Sequence, residues 1–80
     1  MNKYEKELQK LKSDDEVCGV IEYSKGYSKI ITAGHGYLVV PRGDKNFEKA
    51  AQICAFGYIG KHAVYLEEDC ELGEFLRGVK

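Results

Sequence analysis

Eighty residues with 12 lysines and arginines against 13 aspartates and glutamates give a net charge of -1. That length holds one domain, residues 1–80, and excludes two. A hydrophobic fraction of 44% and a charged fraction of 31% exclude wholesale disorder. The near-neutral balance excludes a general polyanion binder, so direct nucleic-acid contact is not expected.

No apolar stretch follows a basic start, and the runs Tyr37–Val40 and Ile53–Gly60 fall far short of the ~20 residues that span a bilayer. A cytoplasmic chain without membrane contact is expected. Cys18, Cys54 and Cys70 are odd in number and scattered, which reads as reduced thiols. Without a C-x-x-C pair, neither a zinc ribbon nor a thioredoxin-like site is expected. A core of this size rarely yields more than ~3–5 kcal/mol without a staple, so a homo-oligomer is expected.

Residues 3–12 form the first predicted helix, with Tyr4, Leu8 and Leu11 on one face and Asn2 and Glu5 in capping-box spacing. A strand over Val17–Ser24, a turn at Ser24-Lys25-Gly26 and a strand over Tyr27–Ala33 read as a hairpin. Gly34-His35-Gly36 leads into a third strand, Tyr37–Val40, whose pairing Pro41 ends. Arg42-Gly43-Asp44 spells an integrin-binding tripeptide, a match too short to carry weight in a chain expected to stay inside the cell.

Asp44 is expected to cap a helix over Lys45–Phe56. Its Phe47, Ala50, Ala51 and Cys54 make a helical stripe, and Gly57 stops it. A loop over residues 58–61 precedes a strand at His62–Glu67. Asp69 then caps a last helix carrying Leu72, Phe75, Leu76 and Val79. The predicted fold class is α+β, in the order α-β-β-β-α-β-α. It comprises a four-stranded, mainly antiparallel sheet with two or three helices packed mostly on one face. Were the third and fourth strands neighbours, the helix between them would allow a parallel crossover.

Charge is unevenly spread. Residues 1–16 carry four lysines and five acids, a net -1; residues 17–66 sum to +3, and residues 67–80 to -3. A basic middle and an acidic end suit capture of an anion at one site and of a basic partner, or a second copy, at the other.

Two segments carry candidate chemistry. Glycines on both sides of His35 expose its ring and let backbone N–H groups approach a ligand. With Tyr27 and Tyr37 as stacking faces and Lys29 and Arg42 for phosphate, the expected ligand-binding set is Tyr27, Lys29, His35, Gly36, Tyr37 and Arg42. Neither G-x-G-x-x-G nor a Walker-type loop is present, so this expectation rests on proximity.

The second segment is acidic: Glu67, Glu68, Asp69 and Glu71 form the expected partner-binding surface of an alternative reading. Three consecutive carboxylates offer oxygen ligands to a hard cation, yet the EF-hand ladder is absent and no metal or other cofactor is assigned. The acids around Cys70 disfavour a thiolate, and His62 lacks a nucleophilic partner, so no catalytic residue is assigned.

The segments Gly34-His35-Gly36-Tyr37-Leu38-Val39-Val40-Pro41 and Tyr65-Leu66-Glu67-Glu68-Asp69-Cys70 resemble a pattern in small uncharacterised proteins borne by phages and plasmids, over residues 34–76. The resemblance implies a mobile-element origin, where such tiny domains block host defence. The expected function is therefore a non-enzymatic protein that sequesters an anionic small molecule, such as a nucleotide immune messenger. The alternatives are a protein–protein inhibitor of a host defence or nucleic-acid-binding protein, acting through its acidic surface, and a small hydrolase or metal-dependent enzyme.

Overall fold

The structure, a computed structural model, describes residues 1–79. Helix α1 (Lys3–Leu11) starts at a reciprocal cap: Glu5 N–H donates to the Asn2 side chain and Asn2 N–H to the Glu5 carboxylate, both at 2.9 Å. Strands β1 (Val17–Ser24) and β2 (Tyr27–Thr32) follow as an antiparallel hairpin. Its two-residue turn places Lys25 at φ 53° and Gly26 at φ 85°, the positive-φ pair that matches strand twist. Strand β3 (Gly36–Pro41) pairs antiparallel with β2.

Helix α2 (Phe47–Ile53) is shorter than expected. The Asp44 carboxylate does not cap it; it accepts the Asn46 N–H at 2.8 Å and the Tyr27 hydroxyl at 2.7 Å, which shapes the turn ahead of the helix. Two residues expected in a loop form strand β4 (Tyr58–Ile59), which pairs with β5 (Ala63–Glu67). Helix α3 (Glu71–Gly78) starts after Cys70 rather than Asp69, with no side-chain cap.

The sheet therefore has five strands, not four, in the order β1-β2-β3-β5-β4, and every neighbouring pair is antiparallel. β5 inserts between β3 and β4. The crossover through α2 thus joins two strands that run the same way but do not touch. Pro41 does not end β3 early: it stands opposite Ala63, and its carbonyl accepts the Asp44 N–H.

The helices cover both faces. α2 and α3 pack on Leu38, Val40, Val64 and Leu66, while Leu8 of α1 packs on Ile30, Tyr37, Val39, Ala63 and Tyr65. This period-two division of β3 and β5 explains their unbroken apolar runs, because a strand covered on both sides needs no polar face. Fully burying a side chain such as Leu8 or Ile30 contributes about 1.5–3 kcal/mol. Leu11, expected beside Leu8, is the last residue of α1 and is 41% exposed. Among the described residues, no helix is long and apolar enough to cross a membrane.

Candidate functional site

The six residues expected to hold a ligand do not converge. Tyr27 lies in the core, its ring edge-on to Phe75 at 5.4 Å and its hydroxyl tied to Asp44 and Asn46. Tyr37 is 1% exposed. Burial, then the nearby Tyr58, Glu67, Asp15 and Asp14, pushes its phenol far above the ordinary range. Lys29 is committed to Glu68 at 2.7 Å and lies 4.7 Å from the Tyr23 ring centroid.

That ion pair lies over Gly36, where a Cβ would collide with both side chains. The glycine therefore makes room for the pair instead of offering backbone to a ligand. Arg42 stands at the opposite end of β3 from His35. Its guanidinium donates to the carbonyls of Lys61 and Gly60 at 3.0 and 2.9 Å and stacks on Phe47. Six extended residues separate the two by roughly 20 Å. With Arg42 and Asp44 both engaged internally, the integrin-type tripeptide presents no free pair.

His35 keeps its place in the argument with different neighbours. Its loop is clamped from below: Asp15 accepts the Gly34 N–H at 3.0 Å and the Thr32 hydroxyl at 2.7 Å, and the His35 N–H donates to Thr32 Oγ1 at 3.0 Å. The Thr32 hydrogen bond, assisted by the Gly34 N–H, holds the Asp15 carboxyl below its ordinary range. The half-buried imidazole leans edge-on toward Tyr37 at 6.4 Å. One ligand atom each from His35, Glu67 and Asp69 lies within 4.8 Å of the others. Sheet pairing causes this meeting: Tyr37 stands opposite Glu67, and the Glu68 N–H donates to the Gly36 carbonyl at 3.0 Å.

The expected acidic surface divides. Glu71 is only 3% exposed, its carboxylate accepting the N–H groups of Gly57 at 2.6 Å and Phe56 at 3.2 Å. It pins the loop before β4 and is not part of a docking surface. Glu68 is neutralised by Lys29. Glu67 and Asp69 remain, beside His35.

A second region went unnoticed in the sequence. A groove of about 330 Å³ is lined by Lys3, Lys6, Glu7, Lys10, Lys61 and His62. The spacing of three and then four residues puts Lys3, Lys6 and Lys10 on one side of α1. Lys61 and His62 arrive from the turn before β5. Glu7 ties the two walls together by accepting the N–H groups of Lys61 at 2.6 Å and His62 at 3.0 Å and the Tyr65 hydroxyl at 2.6 Å. Burial opposes its ionisation, but these three donors outweigh burial and hold the carboxyl below its ordinary range. Gly60 makes the approach possible, because a Cβ there would run into the Glu7 carboxylate.

The helical spacing of the three lysines was readable in the sequence. Summing residues 1–16 to -1 concealed it. No protein-family model, curated protein or solved structure matches this chain.

Proposed function

We propose that the protein is a non-enzymatic binder of a small phosphorylated anion, held in the groove between α1 and the β4–β5 turn. One observation carries this reading: Lys3, Lys6, Lys10, Lys61 and His62 line a single groove whose one carboxylate, Glu7, is already saturated by three donors. Those donors fix Glu7 as an ionised part of the wall, and the four lysines that line the groove outnumber this one carboxylate, so the net charge is positive. Ammonium groups act as point charges on phosphate oxygens. Each exposed contact contributes about 0.2–1 kcal/mol, so the groove works only by engaging several at once. It selects compact, multiply charged ligands such as a pyrophosphate or the phosphates of a cyclic dinucleotide. No tyrosine or phenylalanine lines it, so charge rather than base stacking is what it reads.

Sequestering a nucleotide signal of host defence, the role implied by the phage-borne resemblance, is the biological setting in which such a groove would act. Titration calorimetry with pyrophosphate, a cyclic dinucleotide and ADP-ribose tests the reading. Binding should weaken at least tenfold in the Lys6→Glu/Lys10→Glu variant and as salt rises from 0.1 to ~1 M, where the Debye length shrinks from ~10 to ~3 Å. His35→Ala should leave it unchanged. The absence of heat with all three ligands, or equal binding by the lysine variant, would sink the proposal.

A further inference from the structure

At the other end of β5, we infer that His35, Glu67 and Asp69 form a binding site for a divalent transition-metal ion, with zinc the best match. One imidazole nitrogen and two carboxylate oxygens come from segments 32 residues apart, and all three ligand atoms lie within 4.8 Å of one another. Ligands bound to one zinc ion at 2.0–2.2 Å stand roughly 3–4 Å apart. Small side-chain rotations therefore close the site without moving the backbone. The donor set excludes the ordinary calcium cage, which takes six to eight oxygens, and suits metals that accept nitrogen and oxygen together.

Three further features favour a cation here. The backbone that carries His35 is fixed by the Asp15–Thr32–Gly34 hydrogen bonds, so the imidazole is presented from a rigid loop. Sheet pairing sets Glu67 opposite Tyr37, beside that ring. Among the described residues, neither Glu67 nor Asp69 is paired with a lysine or arginine, although the adjacent Glu68 is. Three protein ligands leave the remaining coordination positions to water.

The test uses the full chain carrying Cys18→Ser and Cys70→Ser, which removes the two exposed thiols as competing zinc ligands. Calorimetric titration with zinc chloride should give one ion per chain. His35→Ala and Glu67→Gln in the same background should each weaken binding at least tenfold. Both variants should fold, as shown by unchanged circular dichroism, because the loop is held by the backbone of His35 and not by its ring. No zinc binding up to millimolar concentration, or binding that both substitutions leave intact, overturns the inference. Lys6→Ala/Lys10→Ala, which adds no carboxylate beside His62, serves as the control and should bind zinc as the parent does.

Discussion

The two ends of β5 are chemical opposites. At its start, Lys61 and His62 join three lysines of α1 around a carboxylate that three hydrogen-bond donors have saturated. At its finish, Glu67 and Asp69 face an imidazole, and among the described residues neither carboxylate is paired with a lysine or arginine. A chain with a net charge of -1 thus holds two separated fields of opposite sign. The lesson is that buried donors decide which charges remain available. Glu7 and Glu71 are spent on backbone N–H groups, and Glu68 on Lys29. Glu67 and Asp69 are not.

The strongest way to break the comparison is to disturb the framework that separates the two ends. A Cβ on Gly57 would drive into the Tyr65 carbonyl, a backbone atom of the interior strand β5 that cannot swing aside. Gly57→Ala should therefore destabilise by about 3 kcal/mol, or prevent folding, as urea unfolding will show. Gly60→Ala meets only the Glu7 carboxylate, the far end of a flexible side chain, and should cost less.

Tyr65→Phe acts at one end alone. Losing the hydroxyl that donates to Glu7 should cost about 1–2 kcal/mol at neutral pH. Its pH dependence follows from sign. The folded-state carboxyl of Glu7 sits below its ordinary value of 4.5, so it adds stability that is fully present above that value. This stability is lost as pH falls through the folded-state value. The gap between parent and Tyr65→Phe should accordingly narrow on acidification below about pH 4.5, measured by urea midpoints. A gap that widens would contradict the hydrogen-bond assignment.

Thr32→Val is the mirror experiment. It removes the hydroxyl that links Asp15 to the His35 backbone and should cost about 1–2 kcal/mol. Zinc binding should weaken while the lysine groove remains intact. The smallest stability effect belongs to Lys6→Glu/Lys10→Glu, whose exposed side chains should leave Tm unchanged although anion binding falls.

Much of the frame was legible because burial wrote it plainly. The runs Tyr37–Val40 and His62–Glu67 read as strands and the Asn2–Glu5 spacing as a cap. The expectation of helices mostly on one face, by contrast, missed that both faces of β3 and β5 are covered. Tyr58–Ile59 could not be read as a strand, since two residues become one only by pairing with Tyr65 and Val64. Nor could the face chosen by α1, because both faces of β3 and β5 are apolar.

At the site, sequence nearness misled for Arg42, which extended chain carries away from His35. It also separated the His35 and Glu67 segments, which the β3–β5 register brings together. Glu71 read as surface because nothing local reveals that it accepts the Gly57 N–H, fourteen residues earlier in the chain.

The most direct test is to titrate one isotope-labelled sample with pyrophosphate and, separately, with zinc, following backbone amide resonances. Pyrophosphate should shift residues of α1 together with Lys61 and His62, and zinc should shift Gly34–Tyr37 and Glu67–Asp69. Two ligands that move the same resonances, or that move none, would contradict a molecule with oppositely charged, separately addressed ends.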